Sequence, residues 1–339
     1  MSTIVEVAKR ARVSTATVSN VIRGTKPVSR ALQERVNAAI RELDYLPNEI
    51  ARSLKVKQTR MLGAVLPDIT NPFFPEIIRG AEDAAFERGY FLVSANTDEQ
   101  SGRESRVLSA LRSYRVDGIL LAPAHGNDVR QIRDTISAGI FVVCVDRTIA
   151  NLATDAVLLD NVRGTRECVH HMIQRGHTRI GFVAGPQDLQ TGRERLLGYR
   201  QAHDEAGVPV DPKLVLEGDF HEKSGHRLGR ELLRMRRRPS AIFVSSGMMT
   251  LGVLKAFEEM GIRYPEDIAL ATFDDSTVDR SLHPHLTAVV QPSYKIGSDA
   301  ASILIDRIEG KLRKPPTIVR IAPSLIIRES TASPQKRGT

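Results

Sequence analysis

With 339 residues, 41% of them apolar, the chain has material for two or three domains with packed cores. Its two cysteines are too few for a disulfide framework and lack metal-ligand spacing. No run reaches the roughly 18 apolar residues of a membrane span, and the first ten residues hold no stretch of signal-peptide character, so a cytoplasmic chain is expected. The charge is uneven: residues 1–60 hold 12 Lys and Arg against 5 Asp and Glu, while the remainder holds 36 against 35. A basic excess confined to one end is what neutralisation of a phosphate backbone needs.

In that basic segment Ile4, Val7, Ala8 and Ala11 recur at helical spacing. Ser14 or Thr15 can cap a second helix, to which Val18, Val21 and Ile22 give an apolar face. The other face carries Thr15, Ala16, Ser19, Asn20 and Arg23, slim enough for a major groove and able to touch base edges. A third helix follows Ser29, with Leu32, Val36, Ala39, Ile40 and Leu43 on one stripe, which completes a helix-turn-helix unit. Residues 48–57 after Pro47 are too short to form a helix that stands alone in water.

From Met61 short apolar runs alternate with amphipathic segments, predicting βαβ units. The runs are Leu62–Leu66, Tyr90–Ser94, Gly118–Ala122, Ile140–Val145, Ile180–Ala184, Leu214–Leu216, Ala241–Val244 and Ile268–Thr272. They predict two doubly wound lobes that break near Val157–Asn161 and near Val289–Pro292. The segment Tyr294–Glu309 and the strand Ile318–Ile321 then return to the first lobe. Open parallel sheets bind ligands beyond the carboxyl ends of their strands. Polar and aromatic residues gather there: Asp68 to Asn71 with Phe73 and Phe74, Asn96, Asp146-Arg147, Gln190-Thr191 with Arg195, Asp219-Phe220, Ser245-Ser246 and Phe273-Asp274-Asp275. Such edges would enclose a small polar ligand.

Catalytic signatures are missing: no Walker A loop, no GxGxxG after a strand, no GxSxG, no HExxH. His221 and His226 would project about 140° apart around a helix and share no metal face. His170, His171 and His177 fall at a helix and its carboxyl end, where capping or dipole interaction is the simpler role. Asp274-Asp275 has no activated nucleophile beside it. No enzyme activity, metal or cofactor is expected.

The chain from Thr3 to about Ser330 resembles the lactose-repressor (LacI/GalR) family of bacterial transcription regulators. The resemblance rests on Val13-Ser-Thr-Ala-Thr-Val-Ser-Asn20, Tyr45-Leu-Pro-Asn48, Pro67-Asp-Ile-Thr-Asn-Pro-Phe-Phe74, Val145-Asp-Arg147, Arg175-Gly-His177, Arg195-Leu-Leu-Gly198, Phe273-Asp-Asp275 and Arg328-Glu-Ser330. It implies an all-α helix-turn-helix DNA-binding head (1–46) and a hinge helix and linker (47–60). An α/β two-lobed, periplasmic-binding-protein-like core (61–330) follows, with lobes of about 61–158 plus 292–322 and 159–291 plus 323–330, then a mobile tail (331–339). The implied function is that of a ligand-responsive repressor. It would bind a pseudopalindromic double-stranded operator as a homodimer or a pair of dimers, with the dimer as default because no late leucine heptads appear. A transport sugar-binding protein would share the core but lack the basic head, and an α/β enzyme fused to such a head would need a catalytic constellation.

By the same resemblance Thr15, Ala16 and Asn20 read bases, and Ser14, Thr17, Ser19, Arg23, Lys26 and Tyr45 make phosphate or flanking contacts. Ala51, Leu54 and Lys55 belong to the hinge helix, with Leu54 wedged between central base pairs. The implied effector contacts are Asn71, Phe73, Phe74, Asp146, Arg147, Thr191, Arg195, Phe220, Ser246, Phe273, Asp274 and Gln291. Two departures stand out. Ser246-Gly247 replaces a common Asn-Asp, which with Arg147 and Arg195 retained points from a neutral sugar toward a bulkier or anionic ligand, such as a sugar acid or sugar phosphate. Arg12 replaces a turn glycine, which costs on the order of 1 kcal/mol if that backbone needs positive φ.

Overall fold

The computed structural model describes residues 2–24, 26–46, 58–275 and 283–333. They form two compact units, Met1–Thr59 and Arg60–Thr339.

The first unit holds α1 (Ile4–Ala11), α2 (Thr15–Arg23) and α3 (Arg30–Glu42). Thr3 opens α1 with a capping box: its side chain accepts from the Glu6 N–H, and the Glu6 carboxylate accepts from the Thr3 N–H at 2.7 Å. Ser14, not Thr15, caps α2 by accepting from the Thr17 N–H at 3.1 Å. Val7, Ala8, Ala11, Val18, Val36, Ala39 and Tyr45 form the core, with Ile4, Val21, Ile40 and Leu43 at its margin. Ile22, expected on the apolar face, is 36% exposed.

Arg12 ends α1 in the left-handed region, at φ 52° and ψ 50°. Arg35 of α3 donates to the carbonyls of Ala11 and Arg12, so a side chain 23 residues away ties the turn down. Arg12→Gly is expected to stabilise this unit by about 1 kcal/mol, less what glycine adds to the entropy of the unfolded chain. Amide exchange of the α1 and α3 core would register it as slower opening; equal or faster exchange would mean that the left-handed arginine carries no net strain.

The second unit contains two six-stranded sheets. In chain order its elements are β1 (Met61–Leu66), α4 (Phe73–Glu87), β2 (Phe91–Asn96), α5 (Ser101–Ser113), β3 (Gly118–Leu121), α6 (Val129–Ser137), β4 (Phe141–Val145) and β5 (Asp155–Leu159). Then come α7 (Asn161–Gln174), β6 (Ile180–Ala184), α8 (Gln190–Glu205), β7 (Val215–Glu217), α9 (Glu222–Arg234), β8 (Ala241–Val244), α10 (Gly247–Glu259), β9 (Ala269–Phe273), β10 (Thr287–Val290), α11 (Ser293–Ile308), β11 (Ile318–Ile321) and β12 (Ser324–Ile326). The sheet orders are β11-β5-β4-β3-β1-β2 and β12-β10-β9-β8-β6-β7. Every pairing is parallel except that of β12 with β10. Most central strands are buried on both faces, which is why they read as unbroken apolar runs.

The chain passes between the lobes three times, after β5, β10 and β11. Helix α11 returns to the first lobe and lies on α4, where Gly80 and Gly297 allow contact closer than any Cβ would. A Cβ at Gly297 would sit 1.9 Å from the Ile77 carbonyl oxygen. Asp155 of β5 takes a two-pronged pair of bonds from Arg307 of α11 at 2.8 and 2.9 Å.

Two sequence expectations change here. Thr331, placed with the mobile tail, is buried and hydrogen-bonded to His171 at 2.9 Å and Thr287 at 2.7 Å. His171 and His177 do not cap a helix end: His177 bonds Ser240 and the Ala332 carbonyl, and the two rings fasten the C-terminal segment. Burial holds both imidazoles below their ordinary pKa.

Candidate functional site

On the head, Ser14, Thr15, Ala16 and Lys26 are exposed, while Thr17, Ser19 and Asn20 are half-buried along α2. Ser14 and Thr17 also bond each other at 2.9 Å, so both serve the cap. No acidic side chain occupies the first turn of α2, which leaves its positive dipole end unopposed. Tyr45, grouped above with the DNA contacts, is 8% exposed and packs in the head core instead. The side chain of Arg23, together with Ala51, Leu54 and Lys55, lies outside the described residues.

In the second unit the carboxyl ends of the strands border a cavity of about 300 Å³ between the lobes. Asn71, Phe73 and Phe74 at the start of α4 line it from the first lobe, with Asp146 and Arg147 after β4. Thr191 and Arg195 of α8, Phe220 after β7, Ser246 after β8, Asp274 after β9 and Gln291 after β10 line it from the second. Phe273 is not on the wall but beneath it: fully buried, it carries the Arg195 guanidinium 3.7 Å above its ring.

Three of these residues hold left-handed backbone at strand ends: Asp146 at φ 67°, Phe220 at 66° and Asp274 at 82°. For an aromatic residue that conformation is uncommon, and strain of order 1–3 kcal/mol persists only where the surroundings enforce it. Gly185 makes room for the Phe220 ring, since a Cβ there would lie 2.1 Å from it. The result is aromatic surface on both sides of the cavity, with Phe73 and Phe74 packed edge-on at 5.0 Å.

The polar groups are largely paired with one another. Arg147 bonds Glu99 at 2.9 Å and Asp146 at 3.0 Å, so its charge is already met twice. Arg195 donates to Asn161 at 2.9 Å and to the Ser245 carbonyl. Burial draws its pKa below the ordinary value, and Asp274 and Asp146 act against that from a distance. Asp274 accepts from Gln291 and from the Gly247 N–H at 3.1 Å, and Ser246 caps α10. Among the described residues, two buried atoms in the cavity wall have no hydrogen-bond partner, Thr191 Oγ1 and Gln291 Oε1. Carboxylates outnumber guanidinium groups on the lining: Asp68, Glu99, Asp146, Asp188, Asp219 and Asp274 face only Arg147 and Arg195. Arg147 is thus already neutralised by two carboxylates, whereas Arg195 is held by neutral acceptors and the Phe273 ring.

Glu99, His125 and Asp188 line the cavity without having been singled out in the sequence. His125 and Asp188 meet at 3.0 Å from opposite lobes. All three lie in loops with no spacing pattern; the one available signal was that a buried Arg147 would need acid partners.

Comparison with known proteins decides the family. Residues 3–48 match the model for bacterial regulatory proteins of the lacI family, and residues 169–331 match that for a periplasmic binding protein-like domain. The HTH-type transcriptional repressor PurR of Pectobacterium atrosepticum is 36% identical over 98% of this chain and 97% of its own length. The chain belongs to the lacI family of bacterial regulatory proteins. Among solved structures, a transcriptional regulator CelR–cellobiose complex is 36% identical, with a TM-score of 0.75 over 97% of this chain and 100% of that one. The lac repressor dimer bound to operator and the anti-inducer ONPF is 25% identical, with a TM-score of 0.86 over 98% and 99%. As a lacI-family member the chain is a DNA-binding transcriptional regulator with a ligand-binding core, and not an enzyme. Among the described residues no helix is long and apolar enough to cross a membrane.

Proposed function

We propose that this regulator is a repressor controlled by a neutral, hydroxyl-rich effector, a sugar, held in the cavity between the lobes. The observation that carries the reading is the pair of buried, unpartnered atoms Thr191 Oγ1 and Gln291 Oε1 in a cavity whose guanidinium groups are already engaged. A carbonyl oxygen there calls for a donor, a hydroxyl serves as donor or acceptor, and sugar hydroxyls supply both. Phe74 and Phe220 supply apolar faces for the ring. A sugar acid or phosphate would bring negative charge to a lining in which carboxylates are in excess. The relative CelR carries cellobiose, a neutral sugar, which agrees with this choice.

On the DNA side, Thr15, Ala16 and Asn20 are proposed to read base edges, with Ser14, Thr17, Ser19, Arg23 and Lys26 on the backbone around them. A homodimer is proposed, since two heads match the two halves of an inverted repeat. The edge strand β2 leaves Phe91 66% and Val93 37% exposed, a surface that a second copy would cover. Effector binding that favours one arrangement of the lobes changes operator affinity, and DNA changes effector affinity by the same factor.

Capture of genomic fragments by the purified protein tests this reading, with and without a panel of neutral sugars, their acids and their phosphates. The expected result is an inverted-repeat site bound by two chains, with its affinity altered by a neutral sugar and the alteration lost in Arg195→Met. A sugar acid or phosphate that acts at lower concentration than its neutral parent would refute the effector class.

A further inference from the structure

Glu194 lies in α8, next to Arg195 in sequence, yet is not part of the cavity lining. Its carboxylate gathers three donors from three parts of the core. Oε1 accepts from Arg320 Nη2 of β11 at 3.1 Å and from Gln190 Nε2 at 2.8 Å; Oε2 accepts from Asn161 Nδ2 at 3.0 Å. Arg320 belongs to the first lobe and precedes the third passage between lobes, whereas Asn161 follows the first passage. Gln190 spends its own oxygen on the first lobe, accepting from the Thr148 N–H at 2.9 Å and the Thr148 hydroxyl at 2.8 Å. Asn161, in turn, uses Oδ1 to accept from Arg195 Nε.

We propose that Glu194 is a positioning residue. It braces the two lobes in this arrangement through Arg320 and the Gln190–Thr148 link, and through Asn161 it orients the Arg195 guanidinium in the cavity. The proposal rests on the effector-site reading only for its link to ligand response; the brace itself is a property of the core. Its chemistry is specific to a carboxylate. All three partners are donors, and a carboxylate offers acceptors alone, whereas a glutamine must turn an NH2 toward at least one of them. The Glu194 side chain is 15% exposed, so that mismatch is only partly relieved by water. A rotation that moves β11 and Thr148 away from α8 parts Arg320 from Glu194 and Thr148 from Gln190, so the brace weighs on the equilibrium that an effector shifts.

Spin-label distance measurements on the full-length protein without ligand test it, with labels on Asp134→Cys in the first lobe and Arg227→Cys in the second. Both positions are exposed, and both native cysteines are buried, with burial raising their thiol pKa, that of Cys144 to about 12. Glu194→Gln is expected to shift or split the interlobe distance distribution. Arg320→Met, at a side chain that is 45% exposed, is expected to do the same. The double variant should go no further than either alone, and Arg320→Lys should keep the wild-type distribution. Unchanged distances in both Glu194→Gln and Arg320→Met, even with a lowered melting temperature, would reduce Glu194 to a structural role and overturn the proposal. Shifted distances in a protein that ignores every sugar would sink the effector reading and leave the brace standing.

Discussion

Raising monovalent salt from 50 to 200 mM is expected to weaken operator binding by about 10³–10⁵-fold, the range for six to ten phosphate contacts. The charge distribution sets this expectation. Residues 1–60 carry 12 basic and 5 acidic residues, and the remainder is nearly balanced at 36 against 35. In the proposed homodimer two heads would bring the cations that displace counterions from the duplex, with little added by the core. A plot of log affinity against log salt should be linear and steep, and Lys26→Gln should flatten it by about one contact per head without changing which sequence is preferred. Asn20→Ala should behave in the opposite way, costing about 1–3 kcal/mol on the preferred site with the slope unchanged. A shallow slope for the intact protein would show that the basic head is not the surface that meets DNA.

The second large effect concerns a buried acid. Glu104 of α5 is 1% exposed and accepts from the Ala124 N–H at 2.6 Å. Burial lifts its pKa to about 7, opposed by that hydrogen bond. Folding therefore favours the protonated carboxyl. Below an unfolded pKa near 4.5 both states are protonated and nothing is lost. Between there and 7 the folded state holds the extra proton, so stability falls as pH rises, and above 7 the loss levels off. At 1.36 kcal/mol per pKa unit the loss is on the order of 3 kcal/mol. Glu104→Gln keeps an acceptor for Ala124 and removes the titration. It is expected to be more stable than the parent at pH 8 by up to that amount, and close to it at pH 4.5. Taking the difference between the two proteins cancels His171 and His177, whose lowered pKa values destabilise the fold as pH drops below about 6.5. A difference independent of pH in chemical denaturation would contradict the assignment.

The alternation of runs and amphipathic segments made the two-sheet core legible, and the three helices of the head were legible, though the cap of α2 stays open between Ser14 and Thr15 and the Thr3–Glu6 capping box goes unread. What sequence hid has definable causes. Strands β5 and β10 sit where the chain changes lobes, so Val157 and Val289 read as boundaries although each belongs to the last strand before a passage. Strand β12 is three residues long and antiparallel, with too little pattern to register. Within the cavity, residues at strand ends could be found because the fold class says where to look. Whether Arg147 was available to a ligand depended on Glu99, contributed by a loop 48 residues away, and periodicity carries no information of that kind. Arg12 was suspect from its residue type, but the support it receives from Arg35 needed the structure.

The interleaved connectivity has a consequence for how the protein is made. The head is a compact unit complete by Thr59, whereas the first sheet lacks its edge strand β11 until Ile321 leaves the ribosome. At about 5–20 residues per second, synthesis from Thr59 to Ile321 takes roughly 13–50 s. For that interval a finished DNA reader is tethered to an unfinished sensor. Nascent or prematurely terminated chains carry the reading surface without the part that answers to a signal, and fidelity of control depends on the last few dozen codons being translated.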